Sequence, residues 1–375
     1  MDARLRRDVG GQAAGLAHLL RQPATSALDA PLDRSIVEAA AEHGIAPLLY
    51  VALRDAGRLD AQPLEVRDGL ARIAREEGLL EQCRRPHLDL VLAALASAGV
   101  RPIIFKGGAL AYTHYPEPWL RPRIDVDLLV RDADADRTAR VLEGVGCRRA
   151  IRPTGGHVTH QFTYFATAGG TNVAYDVHWR VADPHVFAGM LRFDEIDRAA
   201  IAVPPPGPGV RTPSPVHALF IACIHRVAHH YDADTLVRVV DIDHLARRFD
   251  ENDWARFADL AVATRARTVC GRGLDLAREW LDTPVPPAVV AALRRDDSEP
   301  SAAYLKPGLS KFDILRSDLW ALPSWRARAT LVREHLFPST TYVAHSRHSS
   351  PTVGLPIRYL IRIARGAAAW FRPLR

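Results

Sequence analysis

One short stretch constrains this chain more than any other. In Arg123-Ile-Asp-Val-Asp-Leu-Leu-Val130, the apolar residues Ile124, Val126, Leu128 and Val130 alternate with Asp125, Asp127 and Leu129. A period of two is the pattern of a β-strand with one face buried, because successive side chains leave opposite faces. Asp125 and Asp127 then emerge on the same face, with backbone positions roughly 7 Å apart. Two carboxylates aimed at one place repel each other unless a cation lies between them. Hard divalent ions take carboxylate oxygens, so the pair reads as a magnesium platform. The plainer alternative is a pair of solvated residues on an edge strand.

The periodicity changes on either side of this strand. Residues up to about Ala98 read as helical, with Leu88, Val91, Leu92 and Leu95 at helical spacing before Gly99. Residues 100–105 form a short apolar run, expected as a buried strand that leads into Gly107 and Gly108. Residues 109–115 suit a short helix stopped by Pro116 and Pro118. Residues 132–145 carry helical spacing with acidic residues in the first turn. Residues 161–166 and 173–179 read as two strands joined by a turn at Gly169 and Gly170. This order predicts an α+β fold, a mixed sheet flanked by helices.

Residues 203–215 hold six prolines and two glycines, the composition of a linker or an extended surface segment. Helical patterns return over 216–230, 235–249 and 254–281. Residues 337–356, rich in Ser, Thr, Pro and His, read as a loop. In a last helix over 357–371, Leu360, Ile361, Ala364, Ala368 and Phe371 share one face and Arg358, Arg362, Arg365 and Arg372 another. That pattern reads as an amphipathic cap on the fold, with a peripheral membrane contact or a partner surface as alternatives. The expected organisation is a helical N-terminal unit over 1–98, an α/β core over 99–203, a proline-rich linker over 204–215 and a helical C-terminal unit over 216–375.

Composition narrows the class. The chain is 48% hydrophobic and 25% charged, as ordinary globular proteins are. Its net charge of +6 suits a phosphate-bearing partner without naming one. No RNA- or DNA-reading motif occurs, which disfavours nucleic acid as the target but leaves it open. The cysteines Cys83, Cys147, Cys223 and Cys270 form no CxxC pair, which argues against a cysteine zinc site or a disulfide framework. The N-terminus lacks the apolar stretch of a secretory signal, and no run of ~18 apolar residues suggests a transmembrane helix. The cytoplasm is the expected location, and the oligomeric state leaves no trace in the sequence.

Nucleotidyl transfer asks a protein mainly to position a triphosphate and to neutralise developing charge. Two ions about 3.5–4 Å apart can do this where two or three carboxylates converge. A third carboxylate is at hand. In Val173-Ala-Tyr-Asp-Val-His-Trp179, the residues Val173, Tyr175, Val177 and Trp179 take one face, and Asp176 and His178 the other. Asp176 completes the site if this strand lies beside 125–130. Gly107 and Gly108, between a strand and a helix, allow backbone N–H groups to approach phosphate closely. Lys106 beside them, and Arg121 and Arg123 ahead of the acidic strand, add cations for phosphate oxygens.

Taken together, Lys106-Gly-Gly, a short helix, Tyr115-Pro-Glu-Pro118, Arg121-Pro, Asp125-Val-Asp-Leu-Leu-Val and the later Tyr175-Asp-Val-His-Trp resemble a known family. It is the bacterial uncharacterised nucleotidyltransferase family, part of the DNA polymerase beta-like superfamily. The resemblance is strongest over 103–130 and returns at 175–179. It implies a polymerase-beta-like mixed sheet, of a five-stranded type, that binds a nucleoside triphosphate such as ATP with two magnesium ions. Asp125 and Asp127 are then metal ligands, and Asp176 is the third carboxylate and a base. The implied activity moves a nucleoside monophosphate from the triphosphate to an acceptor, a small molecule or peptide being favoured, with release of pyrophosphate. Two departures stand out. Gly108 occupies the place of the superfamily's serine, and Ile124 the place of a glycine common in relatives. They keep a second reading open, an inactive scaffold that binds nucleotide or a protein partner.

A histidine cluster offers a third reading. His225 and His229 share a helical face at i, i+4, as a metal-binding pair would, and His230, Asp232 and Asp234 are close by. That is the pattern of a metal-dependent hydrolase. Within the transferase reading, His178, His225 and His229 instead line the acceptor pocket. Asp241-Ile-Asp243 repeats the Asp-x-Asp spelling in a helical setting, where successive side chains diverge by about 100°, and reads as structural.

Overall fold

The computed structural model describes residues 3–23, 32–152, 155–203, 209–345 and 354–374. Residues 204–208 of the expected linker and 346–353 of the expected loop lie outside the described residues.

Seven strands form one mixed sheet. They are β1 (Ile103–Phe105), β2 (Asp125–Leu129), β3 (Arg148–Arg149), β4 (Gln161–Ala168), β5 (Thr171–His178), β6 (Ile201–Ala202) and β7 (Arg211–Thr212), in the order β3-β4-β5-β2-β1-β7-β6. β2 runs antiparallel to β1 and parallel to β5. β4 and β5 form an antiparallel hairpin whose turn holds Gly169 and Gly170 at φ +57° and +80°. Only glycine adopts such angles without strain. Gly169 is fixed twice over, because a Cβ there would stand 2.6 Å from Cys83 Sγ.

The sheet is wider than the five-stranded expectation, and part of the excess comes from the proline-rich stretch. Arg211 pairs with Ile103 and, on its other side, with Ala202, so 211–212 is a short strand between β1 and the edge strand β6. A linker reading takes proline content as evidence against strand. It missed that two residues between the prolines are enough to join β1 to β6.

The two faces of β2 enter different cores. Val126, Leu128 and Val130 pack with Ile104, Tyr175 and Val177 against Leu88, Val91 and Leu95 of the long helix Leu64–Ser97. Leu129, on the face of Asp125 and Asp127, joins Ile103 and Phe105 in a second core. That second core takes in residues from Ala13 to Leu309, so the N-terminal and C-terminal helices share one apolar interior. Helices thus cover both faces of the central strands, and Leu129 is buried although its parity places it on the carboxylate face. Ile124 departs from the alternation altogether. It stands before the first strand residue, at the edge of a cavity, and is 87% exposed.

Helical expectations hold with three corrections. The single helix expected over 254–281 is two, Glu251–Ala263 and Arg267–Leu281, with Arg265 at φ +56° turning the chain between them. The expected loop over 337–356 contains the helix Thr340–His345. The last helix, Leu355–Trp370, packs by a different face from the one expected. Leu360 is 66% exposed, and Phe371, 65% exposed, keeps one ring contact, with Phe312. Tyr359 instead meets Phe337 edge to face, Trp370 meets His335, and Arg362 donates to the His335 carbonyl. Among the described residues, no helix is long and apolar enough to cross a membrane.

Candidate active site

The strand pairing brings the predicted carboxylates together. Parallel register sets Asp127 beside Asp176, with Asp125 beside Ala174 two residues earlier. On the other side Phe105 lies opposite Asp127, so the chain leaves β1 next to that carboxylate. Lys106, the next residue, sits at φ +53°, a left-handed conformation that costs a side-chain-bearing residue about 1–2 kcal/mol. What accompanies this strain is a fixed ammonium group. Lys106 Nζ donates to Asp127 Oδ1 at 2.8 Å.

His178, at the end of β5, holds the same oxygen, with Nε2 2.8 Å from Asp127 Oδ1 and 3.3 Å from Lys106 Nζ. A carboxylate oxygen only accepts, so the histidine proton lies on Nε2, directed at Asp127. Burial alone would raise the Asp127 carboxyl; Lys106 and His178 outweigh it and hold the group well below the usual carboxylate range. Asp176 accepts from Gln161 Nε2 at 3.2 Å. One ligand atom from each of Asp127, Asp176 and His178 can be chosen within 4.8 Å of the others, and Asp125 lies outside that group.

Asp125 reports the state of the cluster. Burial first, then the charges of Asp127 and Asp176, push its carboxyl up to about 7, against the pull of Lys106 and Arg121. A buried carboxyl raised further by two neighbouring carboxylates marks a site short of positive charge. Their oxygens suit a hard divalent ion.

The cluster opens into a cavity of about 500 Å³. Lys106 and Gly107, which line it, begin the helix Lys106–Thr113, and Phe105 gives that helix no side-chain cap. Its first-turn N–H groups are therefore available to an anion. Gly107 and Gly108 play different parts. A Cβ on Gly107 would stand 3.1 Å from Arg121 Nη2, whereas one on Gly108 would meet Ile104 Cγ2 at 3.4 Å and Val126 Cγ1 at 3.5 Å. Position 108 faces the apolar back of the strand. A serine hydroxyl there would point away from the cavity, so its absence takes nothing from the site.

The two arginines expected to meet phosphate are matched inside the protein. Arg121 makes a two-pronged pair with Asp241, Nε to Oδ1 at 2.8 Å and Nη2 to Oδ2 at 2.7 Å. Tyr115 donates its hydroxyl to the same carboxylate at 2.8 Å. Arg123 donates to Glu81 Oε2 at 2.5 Å, and Tyr112 donates to Glu81 Oε1 at 2.6 Å. Arg123 thereby ties the approach to β2 onto the long helix. Asp243 turns elsewhere, to Arg247 and Thr283.

Histidines form another part of the cavity wall. The helix Pro215–Ala228 carries His225, and the chain turns sharply just beyond it, with Tyr231 and Asp232 at φ +51° and +60°. This places the His225 ring 5.0 Å from that of His229 and 4.8 Å from that of His230. Burial, reinforced by Lys106, holds His225 and His229 well below their ordinary value, and burial with Arg238 and Lys106 takes His230 down to about 3. They are neutral imidazoles. Among the described residues, the metal-suited cluster contains neither His225 nor His229, so the geometry gives the hydrolase reading no centre there.

Gln161 and Arg238, both on the cavity wall, escaped the sequence reading. Gln161 needs the β4–β5 register to reach Asp176, and Arg238 belongs to a helix more than a hundred residues downstream of the acidic strand. The i, i+4 spacing found His225 and His229, but the turn that adds His230 has no sequence signature.

Among curated proteins and among solved structures, none matches this chain. Residues 32–282 match the sequence profile of a family described as "Uncharacterised nucleotidyltransferase", a span that takes in the acidic strands, Lys106 and the histidine wall. The chain belongs to this uncharacterised nucleotidyltransferase family.

Proposed function

We propose that the protein is a magnesium-dependent nucleotidyltransferase that moves a nucleoside monophosphate from a triphosphate to a small-molecule or peptide acceptor. One observation carries this reading. Three crowded carboxylates, Asp125, Asp127 and Asp176, share a cavity with an uncapped helix N-terminus. The first group calls for cations and the second for an anion, and a metal–triphosphate is both.

In this reading Asp125, Asp127 and Asp176 hold two ions. Bound there, such ions neutralise the phosphates and lower the pKa of an attacking hydroxyl. Lys106 keeps Asp127 ionised, and His178 fixes the orientation of that carboxylate. The N–H groups of Gly107 and Gly108 face the phosphates. An acceptor hydroxyl forms a bond to the α-phosphorus, its proton passes to Asp176, and the α–β oxygen bridge breaks with its electron pair leaving on pyrophosphate. The apolar wall at Leu110, Ile221 and Val237, next to the neutral histidines, suits a base or a compact acceptor better than a charged polymer.

The saturation of Asp127 Oδ1 by both Lys106 and His178 favours a second reading, a nucleotide-binding scaffold without turnover. Titration calorimetry with ATP, GTP, CTP and UTP, with and without magnesium, tests the main reading. Wild-type protein should bind at least one triphosphate only with the metal, and Asp127→Asn should abolish it. No binding, or binding unchanged in the variant, refutes the proposal. Binding without pyrophosphate release across an acceptor panel leaves the scaffold.

A further inference from the structure

The cations that sequence assigned to phosphate all have carboxylate partners: Lys106 with Asp127, Arg121 with Asp241, Arg123 with Glu81. One cation on the cavity wall does not. Arg238 lies in the first turn of the helix Leu236–Ala246 and lines the cavity. Among the described residues, no carboxylate pairs with its guanidinium and no side chain or carbonyl accepts from it. The carboxylate that acts on it from further away, Asp241, is taken up by Arg121 and Tyr115.

The backbone around Arg238 has no spare donors. Leu236 N donates to His43 Nδ1 at 3.2 Å, Val237 N to the His43 carbonyl at 3.0 Å, and Arg238 N to the Thr235 carbonyl at 3.1 Å. Whatever this turn offers a ligand comes from the arginine side chain. Burial, together with the charge of Arg121, lowers the guanidinium to about 10, so it stays charged at neutral pH. The imidazoles of His225 and His230 feel its charge and are neutral. A partly buried guanidinium without a counter-anion is unfavourable unless a ligand completes it.

We infer that Arg238, with His225 and His230 on the same cavity wall, forms an anion subsite that takes the pyrophosphate end of a bound polyphosphate. A guanidinium offers paired donors that match two phosphate oxygens at once. The nucleotidyltransferase reading supplies the identity of that anion, the leaving group of the triphosphate. It gives Arg238 the role that Arg121 and Arg123, locked in their own pairs, leave vacant.

The test uses magnesium tripolyphosphate, which carries the phosphates without a nucleoside, alongside the four triphosphates. Calorimetry on the full chain compares wild type with Arg238→Gln and Arg238→Lys, and thermal melting accompanies each. The expected result is at least tenfold weaker tripolyphosphate binding by Arg238→Gln, partial recovery in Arg238→Lys, and a melting temperature unchanged or raised, since an unmatched charge has been removed. Equal binding by wild type and Arg238→Gln overturns the inference. So does a wild-type protein that binds no tripolyphosphate, or a marked fall in melting temperature in both variants, which would make Arg238 structural. Tripolyphosphate binding through Arg238 with no triphosphate binding would sink the transferase reading and leave the subsite standing. Metal-dependent triphosphate binding untouched by Arg238→Gln would do the reverse.

Discussion

The pair between Arg121 and Asp241 gives the sharpest prediction about stability, because sequence and structure assign Arg121 different work. The side chains are only 11% and 7% exposed, and three short contacts converge on one carboxylate. A surface ion pair would contribute about 0–1 kcal/mol. Breaking a buried one by removing a single partner costs about 3–5 kcal/mol, since the other charge is left uncompensated. Asp241→Asn keeps the shape and removes the charge, leaving Arg121 with neutral acceptors, the new amide oxygen and the Pro122 carbonyl. Arg121→Met leaves the opposite orphan, a buried Asp241 touched only by the Tyr115 hydroxyl. Each variant should therefore lose about 3–5 kcal/mol, or roughly 4–6 °C in melting temperature for a chain of 375 residues. The double variant Arg121→Met with Asp241→Leu should recover most of that loss, because no charge remains to be compensated. Urea unfolding followed by circular dichroism and tryptophan fluorescence measures all three. If Arg121→Met costs under about 1 kcal/mol and the double variant recovers nothing, the pair is not formed in solution. Arg121 then returns to being a candidate phosphate ligand.

The glycines should separate in the same assay. Gly107→Ala sets a methyl 3.1 Å from a guanidinium pinned by Asp241 and should cost about 1–3 kcal/mol, while Gly108→Ala makes only ordinary contacts and should fall within about 1 kcal/mol of wild type. Equal effects would mean that the two positions are not distinguished as described. The histidine wall predicts a pH dependence. The folded-state values of His225, His229 and His230 lie below the unfolded value of 6.5, so their contribution to stability is full above about 6.5 and is lost as pH falls. Each could remove up to about 1.4 kcal/mol per pH unit below that point, and urea midpoints at pH 7.5 and 5.5 should show the loss. A triple glutamine variant should flatten the dependence; an unchanged slope would assign it to other histidines.

The sequence made the carboxylates legible and hid their partners. A period of two is enough to align Asp125 with Asp127 and to pair Asp176 with His178, because side-chain direction in a strand follows from parity alone. That the two strands lie side by side in parallel depends on a crossover through a helix and a hairpin, which periodicity does not encode. The arginines show the limit most plainly. Arg121 and Arg123 read as phosphate ligands because a cation near a glycine turn has that chemistry. Their real partners lie 120 and 42 residues away in the chain. The last helix teaches a related lesson. An amphipathic pattern shows that two faces differ, but aromatic contacts at Phe337 and His335 decided which one packs. Arg238 was invisible for the same reason in reverse. Its significance lies in the absence of a partner, and that exists only once the fold has placed every carboxylate around it.

The central claim is that Asp125, Asp127 and Asp176 hold divalent ions for a triphosphate seated on the Lys106–Gly108 turn. Crystals grown with manganese and a non-hydrolysable nucleoside triphosphate test it directly through anomalous scattering. The account predicts manganese peaks bounded by those three carboxylates, with the phosphates against the N-terminus of the helix Lys106–Thr113. Manganese at His225 and His229, or a nucleotide bound away from the acidic strands, would contradict it.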